Sequence, residues 1–215
     1  MTAGLEVEAL EAGYGGRAVA RLPALRVGAG EAALLLGPSG SGKTTLLLAM
    51  AGLAQWTSGR VLVAGEDVSA LRGAARDRWR GRNVGLVFQD IHLVEGLSVL
   101  DNLLLAPFAA GVGQDRARAL QLLERLGLAA VARRRAETLS RGQAQRAAIA
   151  RATLLRPKLI LADEPTASLD DAATEIVARL LLDAAAETGA ALVIATHDGR
   201  LRAHFGASVR AEPVS

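Results

Sequence analysis

Gly37-Pro38-Ser39-Gly40-Ser41-Gly42-Lys43-Thr44 satisfies the pattern G-x-x-x-x-G-K-[ST] at every position, and the reading of this stretch decides the fold. It follows an apolar run at residues 32–36 and precedes Thr45-Leu46-Leu47-Leu48-Ala49-Met50. The spacing therefore predicts a buried strand, a glycine loop and a helix in that order. In that setting the glycines let backbone N–H groups curl around phosphate oxygens, and the helix turns its partly positive N-terminus toward them. Lys43 can then reach the β- and γ-phosphates, and Thr44 offers its hydroxyl to Mg²⁺. Lys43 is one of two lysines in 215 residues, which argues against a stray lysine in a Gly/Ser turn. A nucleotide site is the working premise.

The length suits one domain with a real core and room for an inserted subdomain. Half the residues are hydrophobic, mostly Ala, Leu and Val, yet no apolar run approaches the ~18–20 residues that cross a bilayer. The first residues carry neither a basic segment nor an apolar core of the secretory kind, so a cytoplasmic chain is expected. There is no cysteine, which excludes disulfides, thiolate metal sites and thiol nucleophiles. A formal charge of +3 does not by itself indicate nucleic acid.

Upstream of the loop, residues 5–10 alternate apolar and acidic side chains and predict a half-exposed strand. Gly13-Tyr14-Gly15-Gly16 breaks it, and Tyr14 either stacks on a flat ligand such as adenine or covers the edge of the core. Downstream, residues 59–65 and 83–88 predict further strands, the second leading to Gln89, which can reach Mg²⁺ or an attacking water. Between them, residues 72–82 carry five arginines around Trp79, read either as a solvated face or as a contact for an acidic surface or lipid headgroups. From residue 99 the period becomes helical, with Asp115 as an N-cap and with Pro107 and residues 111–113 separating two helices. A third helix follows Leu139-Ser140-Arg141-Gly142-Gln143 and stops before Pro157.

Lys158-Leu159-Ile160-Leu161-Ala162 then runs straight into Asp163-Glu164-Pro165. Both carboxylates fall at the end of a buried strand, where an Asp can hold Mg²⁺ and a Glu can accept a proton. Residues 190–195 predict the last firm strand, with His197 directly beyond it, able to donate a hydrogen bond to a γ-phosphate. No readable pattern follows Gly206.

Taken together, in this order and spacing, these motifs resemble the ATP-binding cassette family, the ATPase subunits of ABC transporters. The resemblance covers nearly the whole chain and rests on Tyr14, residues 37–45, Gln89, residues 139–143, residues 159–164, Ser168-Leu169-Asp170 and His197. It implies an α/β fold: a P-loop NTPase (RecA-like) core at about 1–88 and 156–205 with a mixed sheet, an antiparallel β edge and an inserted α-helical subdomain at about 89–155. Val87-Phe88-Gln89 and Ala195-Thr196-His197-Asp198 look most like the branch serving lipoprotein release, macrolide export and a bacterial cell-division complex. One departure is Arg141, where the family's signature usually has glycine. It either points to solvent or alters dimer closure and the charge near phosphate.

The resemblance further implies a homodimer that sandwiches two ATP molecules. Tyr14, Gly37, Ser39, Gly40, Ser41, Gly42, Lys43, Thr44 and Thr45 of one copy would bind each ATP, together with Ser140, Gly142 and Gln143 of the other. Asp170 would communicate across the dimer. Thr44, Gln89 and Asp163 would hold Mg²⁺, Glu164 would serve as base, and His197, Gln89 and Lys43 would complete the catalytic set. Integral membrane permease subunits would be the partners, placing the chain at the cytoplasmic face of the membrane, for export or extraction of a substrate. The alternative is a regulatory cell-division cassette signalling through a membrane partner. No nucleic-acid partner is expected, because cassettes that act on DNA or ribosomes usually join two units or insert long coiled coils.

Overall fold

The computed structural model describes residues 3–167 and 169–214. Strands β1 (Ala3–Tyr14) and β2 (Arg17–Gly28) form a long hairpin. Leu5 and Val7 are buried, then Leu10 and Ala12, so the buried parity flips near Ala9, whose φ is +43°. The pairing with the next antiparallel strand slips at the same place, between Glu8 and Glu11. This bulge resets the alternation, which is why the strand continues past the expected end at Leu10. Opposite it stands Gly59 at φ +90°, where a Cβ would lie 2.3 Å from the Ala9 carbonyl oxygen.

The chain continues through β3 (Ala32–Leu36), α1 (Lys43–Met50), β4 (Gln55–Val63) and β5 (Glu66–Asp67). Then come α2 (Gly73–Asn83), β6 (Val84–Val87), α3 (Val99–Ala109), α4 (Arg116–Arg125) and α5 (Arg141–Thr153). It closes with β7 (Leu159–Asp163), α6 (Asp171–Thr188), β8 (Ala191–Thr196), β9 (Ala207–Arg210) and β10 (Glu212–Pro213). The strands of the expected mixed sheet sort into two sheets among the described residues: an antiparallel one ordered β10-β2-β1-β4-β5 and a parallel one ordered β6-β7-β8-β3-β9. In the first, the hairpins β1-β2 and β4-β5 are joined by the long-range β1-β4 pairing with β10 added beside β2, and crossovers through helical segments build the second. Beyond Gly206, where no pattern was readable, β9 pairs parallel with β3 and β10 antiparallel with β2. These strands carry the core past residue 205.

Burial follows from the period of two. Ala33 and Leu35 of β3 face a core shared with α1 and the antiparallel sheet. Leu34 and Leu36 face the opposite core, closed by Val177, Leu181 and Ala185 of α6. A third cluster joins Leu100, Leu103 and Leu104 of α3 to Leu123 of α4 and Ala147 and Ala150 of α5. Pro107 lies inside α3 rather than between helices, in its last turn. The arginine run forms α2, which buries only Trp79.

Candidate active site

The loop after β3 is fixed before any ligand arrives. Gly40 and Gly42 have φ of +78° and +81°, the left-handed region that a side chain disfavours. A Cβ on Gly42 would stand 2.2 Å from the Ala20 Cβ of β2, so the loop is pressed against the antiparallel sheet. Leu46 N–H donates to the Gly42 carbonyl at 2.9 Å, which begins α1 at the loop's end. Lys43, 6% exposed, reaches back over the loop and donates to the carbonyls of Gly37 at 2.9 Å and Pro38 at 3.1 Å. Its ammonium also lies 3.4 Å from Glu164 Oε1. A buried ammonium needs such partners, and here they hold the charge at the loop.

Strands β6, β7 and β8 deliver the remaining groups to the same carboxyl edge of the parallel sheet, the edge at which α/β folds bind ligands. Thr44 Oγ1 donates to Asp163 Oδ2 at 2.7 Å, while Asp163 Oδ1 is buried without a hydrogen-bond partner among the described residues. Burial pushes the Asp163 carboxyl pKa up, opposed by the Thr44 hydrogen bond and reinforced by the neighbouring Glu164 charge. A hydroxyl beside a carboxylate with one unpartnered oxygen suits a hard divalent cation. No group of three or more His, Cys, Asp or Glu side chains that could hold a metal occurs among the described residues, so such an ion would need phosphate oxygens and water as further ligands.

Glu164 follows β7 at φ +45°, a strained setting for a residue with a side chain, of the kind that collects at active sites. Its N–H is anchored to the Ala195 carbonyl at 2.8 Å. Its Oε1 lies 2.8 Å from His197 Nδ1, and its Oε2 accepts from Thr196 Oγ1 at 3.0 Å. The carboxylate is thus oriented from three sides, by Lys43, His197 and Thr196.

Ser39, Gly40, Gly42, Lys43, Thr44 and Thr45 join Gln89, Asp163, Glu164 and His197 around one cleft of about 450 Å³. The other expected residues lie apart from it. Gly37 backs onto a neighbouring cleft, and Ser41 is buried with an unpartnered hydroxyl. Tyr14, at the end of β1, is 57% exposed and does not line the cleft. Ser140 and Gln143 form a reciprocal cap at the N-terminus of α5, with Gly142 in its first turn. Asp170 caps α6 by accepting from Ala173 N–H at 2.7 Å. Arg141 is exposed, as one of its two expected settings requires, and its Nη2 donates to the Ala167 carbonyl at 3.3 Å. Ser168 falls outside the described residues.

Thr196, Asp198, Arg200 and Thr166 carry no role legible from the sequence alone. Fully buried Thr196 also accepts from Asp198 N–H at 2.9 Å, and Thr166 Oγ1 donates to Asp198 Oδ2 at 3.2 Å. Arg200 bridges Asp198 and Asp171, both at 2.7 Å, and donates to the Leu169 carbonyl at 3.2 Å. Hydrogen bonding from Arg200, ahead of its charge, lowers the Asp198 carboxyl pKa to about 2. The Thr-His-Asp run was the available signal, but it does not reveal which atoms meet.

Comparison with known proteins agrees with this geometry. The ABC transporter family profile matches residues 23–167. The lipoprotein-releasing system ATP-binding protein LolD of Anaeromyxobacter dehalogenans is 48% identical over 180 residues, 82% of this chain and 75% of that one. The phosphonates import ATP-binding protein PhnC of Nitratidesulfovibrio vulgaris is 41% identical over 200 residues, 88% of this chain and 75% of that one. Among solved structures, the dimeric cassette MJ0796, also seen in a post-hydrolysis state bound to ADP and Pi, superposes with a TM-score of 0.83 at 30% identity, covering 97% of this chain and 94% of its own.

Proposed function

The chain belongs to the ABC transporter family as an ATP-hydrolysing cassette, and we propose that it works as a homodimer driving separate membrane permease subunits in the lipoprotein-release branch. No helix among the described residues is long and apolar enough to cross a membrane, so attachment would run through those subunits, at the cytoplasmic face. The reading toward release or extraction rests on the similarity to LolD; the permease would select the substrate.

The observation that carries the chemistry is the Glu164 carboxylate held between Lys43, His197 and Thr196 at the mouth of the phosphate loop. Lys43 and the loop amides would bind the β- and γ-phosphates, with Thr44, Asp163 and Gln89 holding Mg²⁺, which supplies charge neutralisation when bound. Glu164 would take the proton of the water that attacks the γ-phosphorus as the bond to the β-bridging oxygen breaks, giving ADP and phosphate. His197 would keep that carboxylate aimed and meet the γ-phosphate. Ser140 and Gly142, exposed at the start of α5, would face the ATP of the second copy, and the helices of residues 89–155 would move as its carrier.

The test is Glu164→Gln. General-base loss predicts turnover reduced by roughly 10²–10⁴-fold with ATP binding retained. Gel filtration with ATP should then show a trapped dimer. Persistent hydrolysis and a monomer in ATP would refute the assignment.

A further inference from the structure

The arginines at residues 72–82 take no part in the site above, and the structure gives two of them a setting of their own. We propose that the cleft between β4 and the start of α2 is a second anion site, taking a phosphate group carried by a soluble small molecule or by a lipid headgroup. The cleft, of about 460 Å³, is lined by Trp56, Ser58, Ser69, Arg72 and Arg76 among others, and shares no residue with the triphosphate cleft.

Its chemistry is one-sided. The Arg76 guanidinium carbon lies 5.6 Å from the centre of the Trp56 ring, at cation–π distance. Neither Arg72 nor Arg76 pairs with a carboxylate among the described residues. Asp67, the acid that Ser69 contacts, is already bridged to Arg60 at 2.7 Å. Among the described residues Arg72 donates through Nη1 alone, to the carbonyls of Ser69 and Leu71, and its other nitrogens are uncommitted.

Two further donors decide the ligand class. Trp56 Nε1 and Arg76 Nε are both buried and have no acceptor among the described residues. Buried donors are normally satisfied, because losing water without gaining an acceptor is costly. One indole N–H beside the guanidinium groups of Arg72 and Arg76, neither paired with a carboxylate among the described residues, calls for a group that is anionic and accepts along several directions at once. A tetrahedral phosphate does both, whereas a planar carboxylate offers two oxygens in one plane.

The experiment uses the whole chain and reads the indole N–H signals of Trp56 and Trp79 by nuclear magnetic resonance. Trp79 donates to Glu66 at 2.9 Å and serves as the internal reference. Sodium phosphate, titrated against sodium chloride at constant ionic strength, should move the Trp56 signal saturably and leave Trp79 in place. Arg76→Ala should weaken that response about 10- to 100-fold, the scale of a charge-assisted hydrogen bond, and Arg76→Lys should recover part of it. Phosphatidylglycerol–phosphatidylcholine vesicles form the second arm: a response at lower total phosphate than the free ion assigns the headgroup, and a response to free phosphate alone assigns a soluble ligand. The proposal is overturned if the Trp56 signal ignores both, moves equally with chloride, or saturates at the same phosphate concentration in Arg76→Ala. Arg72→Ala replaces Arg76→Ala if the latter loses its fold. ATP hydrolysis is read separately, so failure here leaves the nucleotide site standing.

Discussion

Thr196→Val removes one hydroxyl and keeps the shape of a fully buried side chain at the end of β8. That hydroxyl donates to Glu164 Oε2 at 3.0 Å and accepts from Asp198 N–H at 2.9 Å, so the substitution unties the proposed base, Glu164, from one of its three supports. A hydrogen bond to a charged group contributes about 1.5–3 kcal/mol, and each 1.36 kcal/mol is tenfold in rate. With the contact of His197 Nδ1 at 2.8 Å still in place, kcat should fall about 10- to 100-fold. Because Thr196 does not line the triphosphate cleft, the ATP dissociation constant should stay within about twofold. The orphaned Asp198 N–H should cost about 1–3 kcal/mol of stability, lowering Tm by about 2–12 °C for a chain of this size. Steady-state ATPase kinetics, nucleotide binding and a thermal melt read these three numbers. Thr196→Ser restores the hydroxyl and should recover most of kcat. A folded Thr196→Val variant with kcat within about twofold of the parent, or a Ser variant as slow as the Val one, would refute the positioning argument.

Asp163→Asn should separate stability from activity. Burial raises the Asp163 pKa in the folded chain, so its contribution to stability is greatest below the ordinary carboxylate pKa and is lost as pH rises through the raised value. At neutral pH and without nucleotide, the Asn variant should therefore melt at or above the parent temperature, while ATPase activity falls at least about 100-fold; a lower melting temperature would mean that the Thr44 hydrogen bond outweighs burial. Gly42→Ala forces a Cβ into the left-handed region and to within 2.2 Å of Ala20. ATP affinity should drop at least about tenfold, and Ala20→Gly should relieve the contact but not the φ strain, giving partial rescue in a binding titration; unchanged affinity would remove the close approach from the account.

What the sequence discloses here is whatever is local in chain. The eight residues from Gly37 to Thr44 carry their own strand, turn and helix signals, and Asp163 and Glu164 follow an unbroken apolar strand, so their placement at a sheet edge needs no tertiary information. The arginine-rich α2 is obscure for the opposite reason, because it buries one side chain and shows little apolar period. The length of β1 is hidden by the Ala9 bulge, which breaks the alternation that a reader counts. Strand β9 is short and mostly exposed, and it is fixed by pairing with β3, more than 170 residues earlier in the chain. Thr196 is a threonine in a strand until the fold sets Glu164 beside it.

The same self-satisfaction recurs in both halves of the triphosphate cleft. Lys43 is held by two loop carbonyls and the Glu164 carboxylate, and Asp163 by the Thr44 hydroxyl, so each charged group has a protein partner before nucleotide binds. A buried charge left unpaired is costly, which explains why these contacts exist in a ligand-free site. If ATP binds as proposed, its phosphates would compete with Glu164 for Lys43, and a cation would compete with the Thr44 proton for Asp163 Oδ2. On that reading binding would exchange the partner of Lys43 and add one at the open Oδ1 of Asp163, while Glu164 Oε1 keeps its contact with His197 Nδ1 at 2.8 Å. The proposed substrate and base would then be linked through the Lys43 ammonium, which lies 3.4 Å from Glu164 Oε1 in the ligand-free site.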